Sequence, residues 1–110
     1  MDENRTLRLG LVQMNSTVGD LETNKKKIAG FIEQGRQQGC DLVAFPELAL
    51  TGYPPEDLLL RKQFVEKQSR VLAEIAALVK DEVVVLGCVE EANGFLYNSA
   101  AVLFQGRQVA

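Results

Sequence analysis

The 110-residue chain is 46% hydrophobic and 25% charged, with a formal net charge of -3 and a pI near 4.9. That composition fits a single small globular domain, and its acidic balance gives no electrostatic reason to bind nucleic acid or an anionic membrane. With no histidine and only two cysteines, Cys40 and Cys88, histidine-based catalysis and most metal sites are excluded.

The opening MDENRTLRLG is acidic and polar, unlike the basic region and apolar segment of a signal peptide. The longest apolar runs, such as residues 83–89, fall far short of the roughly 20 residues of a membrane span. A cytoplasmic location is therefore expected, and with it no disulfide between the cysteines.

Residues 6–14 read as a strand, with Leu7, Leu9 and Leu11 on one face. After a loop at residues 15–19, Asp20 suits an N-cap, and Leu21, Ile28, Phe31, Ile32 and Gly35 fall along one side of a helix. Gly39 marks its end. Leu42, Val43, Ala44 and Phe45 then form a nearly all-apolar strand that stops at Pro46.

A second helix is expected over residues 62–80, with apolar positions at three- and four-residue intervals from Phe64 to Val79, followed by a strand at residues 83–89. Strands alternating with helices predict an α/β fold with parallel pairing. Ala92-Asn93-Gly94 then signals an antiparallel hairpin into Phe95–Phe104. Residues 106–110 read as a turn and the beginning of another strand, so the sequence is expected to stop within a domain. Its two helices can cover one face of the sheet, and no further elements are found for the other.

The chemistry is expected in FPELALTGYPPEDLL, residues 45–59. Pro46 ends strand pairing and leaves Glu47 beyond the carboxyl end of a buried strand, the edge where ligands bind in open α/β sheets. Gly52 permits a sharp turn and Pro54-Pro55 stiffens the exit, while Glu56 and Asp57 suit the start of a short helix. On the residues alone Glu47 reads first as a solvated or capping loop carboxylate, because no nucleophile stands near it in sequence.

The same stretch resembles the segment around the catalytic glutamate of the nitrilase superfamily of carbon–nitrogen hydrolases, and the extended GYPPEDLL resembles its glutamine-dependent NAD⁺ synthetase branch. LVQMN at residues 11–15, VGD at 18–20 with Asn24, YNSAA at 97–101 and Gly106-Arg107 are similar to the family's opening strand and helix and its later hairpin. The resemblance implies that residues 1–110 are the first part of an α-β-β-α four-layer sandwich with a glutamate, lysine and cysteine triad.

Of that triad the resemblance puts only the glutamate here, at Glu47. The lysine is expected shortly after Ala110 and the cysteine much later. Cys40 and Cys88 are expected to be small core residues rather than the nucleophile. Lys62, Lys80 and the Lys25-Lys26-Lys27 run are expected on solvated helix faces. Tyr53, on the same loop as Glu47, is a candidate for binding substrate. Asn98 reads first as an asparagine satisfying strand or turn hydrogen bonds, and alternatively as a brace for the active-site loops.

The implied activity is hydrolysis of the glutamine side-chain amide, with ammonia passing to a synthetase domain of the same polypeptide. That domain would use ATP and Mg²⁺ to amidate nicotinic acid adenine dinucleotide; no residue of this chain is assigned to a cofactor or metal. This segment alone is expected to be inactive, and the domain to form a homo-oligomer. A stand-alone nitrilase-like amidase and a non-catalytic nitrilase-fold interaction module are the competing readings.

Overall fold

The computed structural model describes residues 6–110; the N-terminal leader reading falls partly on residues outside these. In chain order the elements are β1 (Leu9–Leu11), α1 (Leu21–Gln37), β2 (Leu42–Ala44), a 3-10 turn (Glu56–Leu60), α2 (Lys62–Ala76), β3 (Val83–Ala92), β4 (Phe95–Phe104) and β5 (Arg107–Gln108). The five strands form one sheet in sequential order. β1, β2 and β3 run parallel, while β3, β4 and β5 run antiparallel.

Local chemistry accounts for most of these boundaries. Asp20 caps α1 as expected, accepting from the backbone N–H of Thr23 at 3.1 Å and from its hydroxyl at 2.7 Å. These bonds hold the Asp20 carboxyl below the usual carboxylate range. At the β3–β4 turn both Asn93 (φ 53°) and Gly94 (φ 80°) are left-handed, the geometry that matches the twist of a two-residue hairpin.

Two expected lengths are corrected. β1 is three residues long rather than nine, because it has a ladder partner on one side only and that partner, β2, is itself three residues long before Pro46. α2 ends at Ala76 rather than residue 80; Leu78 and Val79 donate to Ile75 and Ala76, the tighter i to i+3 pattern of a closing turn.

Register puts Val43, Val84, Leu86, Cys88, Ala101 and Leu103 on one face of the sheet, where they pack with Ile28 and Ile32 of α1 and Leu72 and Ile75 of α2 in one core. The other face carries Leu9, Leu11, Leu42, Ala44, Val83, Val85, Val102 and Phe104, and neither helix covers it. The expected Leu7, Leu9 and Leu11 face is thus the open one, with Leu11 78% exposed.

The lysine run stays at the solvated surface of α1 and also makes contacts there. Lys25 pairs with Glu74 of α2 at 2.5 Å, and Lys27 donates to the carbonyl of Asn15 at 2.7 Å, so two of the three lysines tie α1 to its neighbours. Among the described residues, no helix is long and apolar enough to cross a membrane.

Candidate active site around Glu47

β2 leaves the sheet at Pro46, and the chain turns sharply across the carboxyl ends of the parallel strands. Phe45 makes the last ladder contact, donating its N–H to Val85 at 2.9 Å, and its ring meets Phe31 of α1 edge-on at 6.5 Å. Beyond it Leu48 is left-handed (φ 50°), which costs a residue with a side chain about 1–2 kcal/mol. Burial of Leu48, Ala49, Leu50 and Thr51 offsets that strain and holds the turn, leaving Glu47 exposed at its apex.

Two polar side chains lock this turn to the scaffold, and a third braces β3 beside it. Asn24, fully buried on the apolar side of α1, exchanges hydrogen bonds with the backbone of Thr17 (2.8 Å each) and donates to the carbonyl of Leu50 at 3.0 Å. Ser16 donates to Ala49 at 2.7 Å. Gln68, fully buried on α2, donates to the Val89 carbonyl at 3.1 Å and accepts from the Val89 N–H at 2.8 Å. Its carboxamide, with the Leu50 N–H that reaches Gly87 at 3.3 Å, replaces the ladder partner that β3 loses where β2 ends.

The Glu47 carboxylate points over the open sheet face, where Asn98 of β4 donates to its Oε1 at 2.5 Å. Beside them lies an open hollow of about 310 Å³ lined by Phe45, Glu47, Val85, Gly87, Asn98 and Ala100. The cross-strand pair Gly87 and Ala100 is part of its lining. A second hollow on the other side of Glu47 is lined by Met14, Asn15, Ser16, Leu48 and Tyr53.

Both sequence candidates therefore stand beside a hollow that Glu47 lines, with Tyr53 66% exposed. Asn98 departs from its first reading, since its side chain reaches the carboxylate rather than only serving a strand or turn. Asn24, Gln68 and Gly87 were missed as determinants of the site. Their available signals were a lone carboxamide within each helix's apolar stripe and a glycine inside a strand.

Neither cysteine shares this space. Cys88 is buried on the helix-covered face, and burial pushes its thiol up, disfavouring the thiolate. Cys40 is half-buried against α1, less enclosed than expected, and both thiols are free. Among the described residues, no group of His, Cys, Asp and Glu side chains could hold a metal ion.

Comparison with known proteins gives a consistent result. The chain is 43% identical over 103 residues to a glutamine-dependent NAD(+) synthetase of Xanthomonas campestris pv. campestris (strain 8004), covering 93% of this chain and 19% of that protein. It is 40% identical over 103 residues to the one of Thermotoga maritima, covering 93% and 18%. The chain thus spans about a fifth of the length of the curated relatives it matches.

Its structure superposes with a TM-score of 0.90, at 34% identity, on a crystal structure of a glutamine-dependent NAD(+) synthetase from Cytophaga hutchinsonii, over 94% of this chain and 18% of that one. An amidase from the nitrilase superfamily, from Nesterenkonia AN1, matches with a TM-score of 0.78 at 22% identity, over 94% of this chain and 41% of that one. That likeness identifies the sheet and its helices as part of a nitrilase-like fold. The family model for carbon-nitrogen hydrolase matches residues 8–110, and the chain belongs to that family.

Proposed function

We propose that this chain supplies the general base of a glutamine-hydrolysing site, in a longer protein whose synthetase domain uses the released ammonia to amidate nicotinic acid adenine dinucleotide. The observation that supports this most is the placement of Glu47. It is an exposed carboxylate at the carboxyl edge of a parallel sheet, on a strained and fully braced turn, opening on hollows to either side.

In this reading Glu47 takes the proton from a cysteine thiol as sulfur attacks the amide carbon, then delivers that proton to the departing ammonia. Water attacks the resulting thioester, again giving its proton to Glu47, and glutamate leaves as the thiol re-forms. A lysine ammonium stabilises the oxyanion in each half. Tyr53, beside the second hollow, is assigned to substrate binding. ATP and magnesium belong to the synthetase domain, and no residue here is assigned to them.

Glu47→Gln in the full-length protein tests the reading, because it keeps the shape and removes the base. Glutamine-driven synthesis should fall by about 10²–10⁴-fold, while synthesis from added ammonium persists. Equal loss with both nitrogen sources would mean that Glu47 is structural. With Cys40 and Cys88 on the far side of the sheet, the 110-residue chain alone should release no ammonia from glutamine above its own Glu47→Gln control.

A further inference from the structure

The Glu47 carboxylate has two chemically equivalent oxygens, and a base must present one of them to the proton it takes. Asn98 removes the equivalence. Its Nδ2 donates to Oε1, and among the described residues Oε2 accepts no hydrogen bond. The orientation of the carboxamide is forced, since an ionised carboxylate only accepts and only the NH₂ end of asparagine donates. Fifty-one residues separate the two in sequence, so the contact is made by the sheet and not by the Glu47 turn.

The sheet also holds Asn98 still. Asn98 lies opposite Val89 in the β3–β4 register, inside a ladder that runs in step from Val84–Leu103 to Ala92–Phe95. Two residues along the same face, Gly87 and Ala100 line the hollow that Glu47 and Asn98 also border. We propose that Asn98 is the positioning residue for Glu47: it occupies one carboxylate oxygen and turns the other toward the hollow. The assignment rests on the reading of Glu47 as the base.

The test is steady-state glutamine hydrolysis by the full-length protein carrying Asn98→Ala, Asn98→Asp or Asn98→His, beside Glu47→Gln. Alanine removes the donor, and aspartate keeps the shape but offers only acceptors and a like charge. Histidine can place a ring N–H where the carboxamide nitrogen stands. Loss of orientation should lower kcat about tenfold or more in the Ala and Asp variants with KM within about threefold. The His variant should recover most of the loss, and melting temperatures should stay near that of the parent, because Asn98 is exposed.

Wild-type kcat in both the Ala and Asp variants, with Glu47→Gln inactive, overturns the role of Asn98 and leaves the base in place. An active Glu47→Gln overturns both. A lowered melting point with KM and kcat falling together, not recovered by histidine, shows Asn98 to be merely structural. If Asn98→Ala fails to fold, the isosteric Asp variant carries the same comparison.

Discussion

Gly87 lies directly against the backbone that runs from the Pro46 carbonyl through Glu47 to the Leu48 nitrogen. A Cβ built on Gly87 would stand 2.4 Å from the Pro46 carbonyl oxygen, 2.5 Å from the Leu48 nitrogen and 3.0 Å from the Glu47 carbonyl carbon. All three are backbone atoms and cannot swing aside as a flexible side chain would. Gly87→Ala must therefore shift the Glu47 turn or part it from β3. Displacements near 1 Å cost a positioned catalytic group about 10²-fold, and overpacking costs about 1–3 kcal/mol. On the proposed reading of Glu47, glutamine hydrolysis by the full-length protein should fall by about that order, with a modest fall in melting temperature; parental kcat in a folded full-length Gly87→Ala protein would refute the close-approach argument.

Gln68 offers a separate test of the scaffold. Replacing it with methionine conserves volume but leaves the Val89 N–H and C=O without their partner in a dry environment. Each stranded group costs about 1–3 kcal/mol. The urea midpoint of Gln68→Met should fall accordingly, whereas Gln63→Met, on the exposed start of the same helix, should change it little. Equal midpoints for the two variants would mean that water replaces the Gln68 amide at no cost.

Where one local rule governs an element, the sequence foretold it: the Asp20 cap, the Asn93-Gly94 turn, the apolar stripe of α1 and the strand stop at Pro46. Glu47 was placed at a sheet edge by the same means. Side-chain destinations across the fold were not legible. Asn98 could be named but not aimed, because its bond to Glu47 depends on the register of three strands. The strand length of β1 was misjudged because it is set by its neighbour rather than by its own apolar residues.

The pair formed by Arg36 and Glu82 sets an acid limit on stability. Burial pushes the Glu82 carboxyl up, but hydrogen bonds from Arg36 and from the N–H groups of Glu82 and Lys80 outweigh it and hold the carboxyl below its usual 4.5. A folded value below the unfolded one gives stability that is present above about pH 4.5 and lost as pH falls through the folded value. Arg36 also reaches Glu33 and the Leu78 carbonyl, so Glu82→Gln leaves it partly satisfied. The cost at pH 7 should be about 1–3 kcal/mol, between those of an exposed pair and a buried one. The gap between parent and variant melting temperatures should narrow as pH falls below 4.5; a gap that does not narrow down to the acid limit of the folded protein would rule out this linkage.

The uncovered sheet face should govern how the 110-residue chain behaves when produced alone. Leu9 and Leu11 are exposed on it, and Leu42, Val83, Val85, Val102 and Phe104 are only half-buried. Full burial of such a side chain contributes about 1.5–3 kcal/mol, so several left wet forgo an amount comparable to the roughly 5–15 kcal/mol that stabilises a whole domain. Contiguous apolar patches of this kind are covered in proteins that remain monomeric. The chain is therefore expected to associate through this face, or to stay loosely packed and bind a hydrophobic dye. Lysine at Leu11 and Val85, which point out of the open face from β1 and β3, should weaken association without touching the helix-covered core. Sedimentation as a monodisperse monomer, together with cooperative unfolding and no dye binding, would show that one covered face suffices for this sheet.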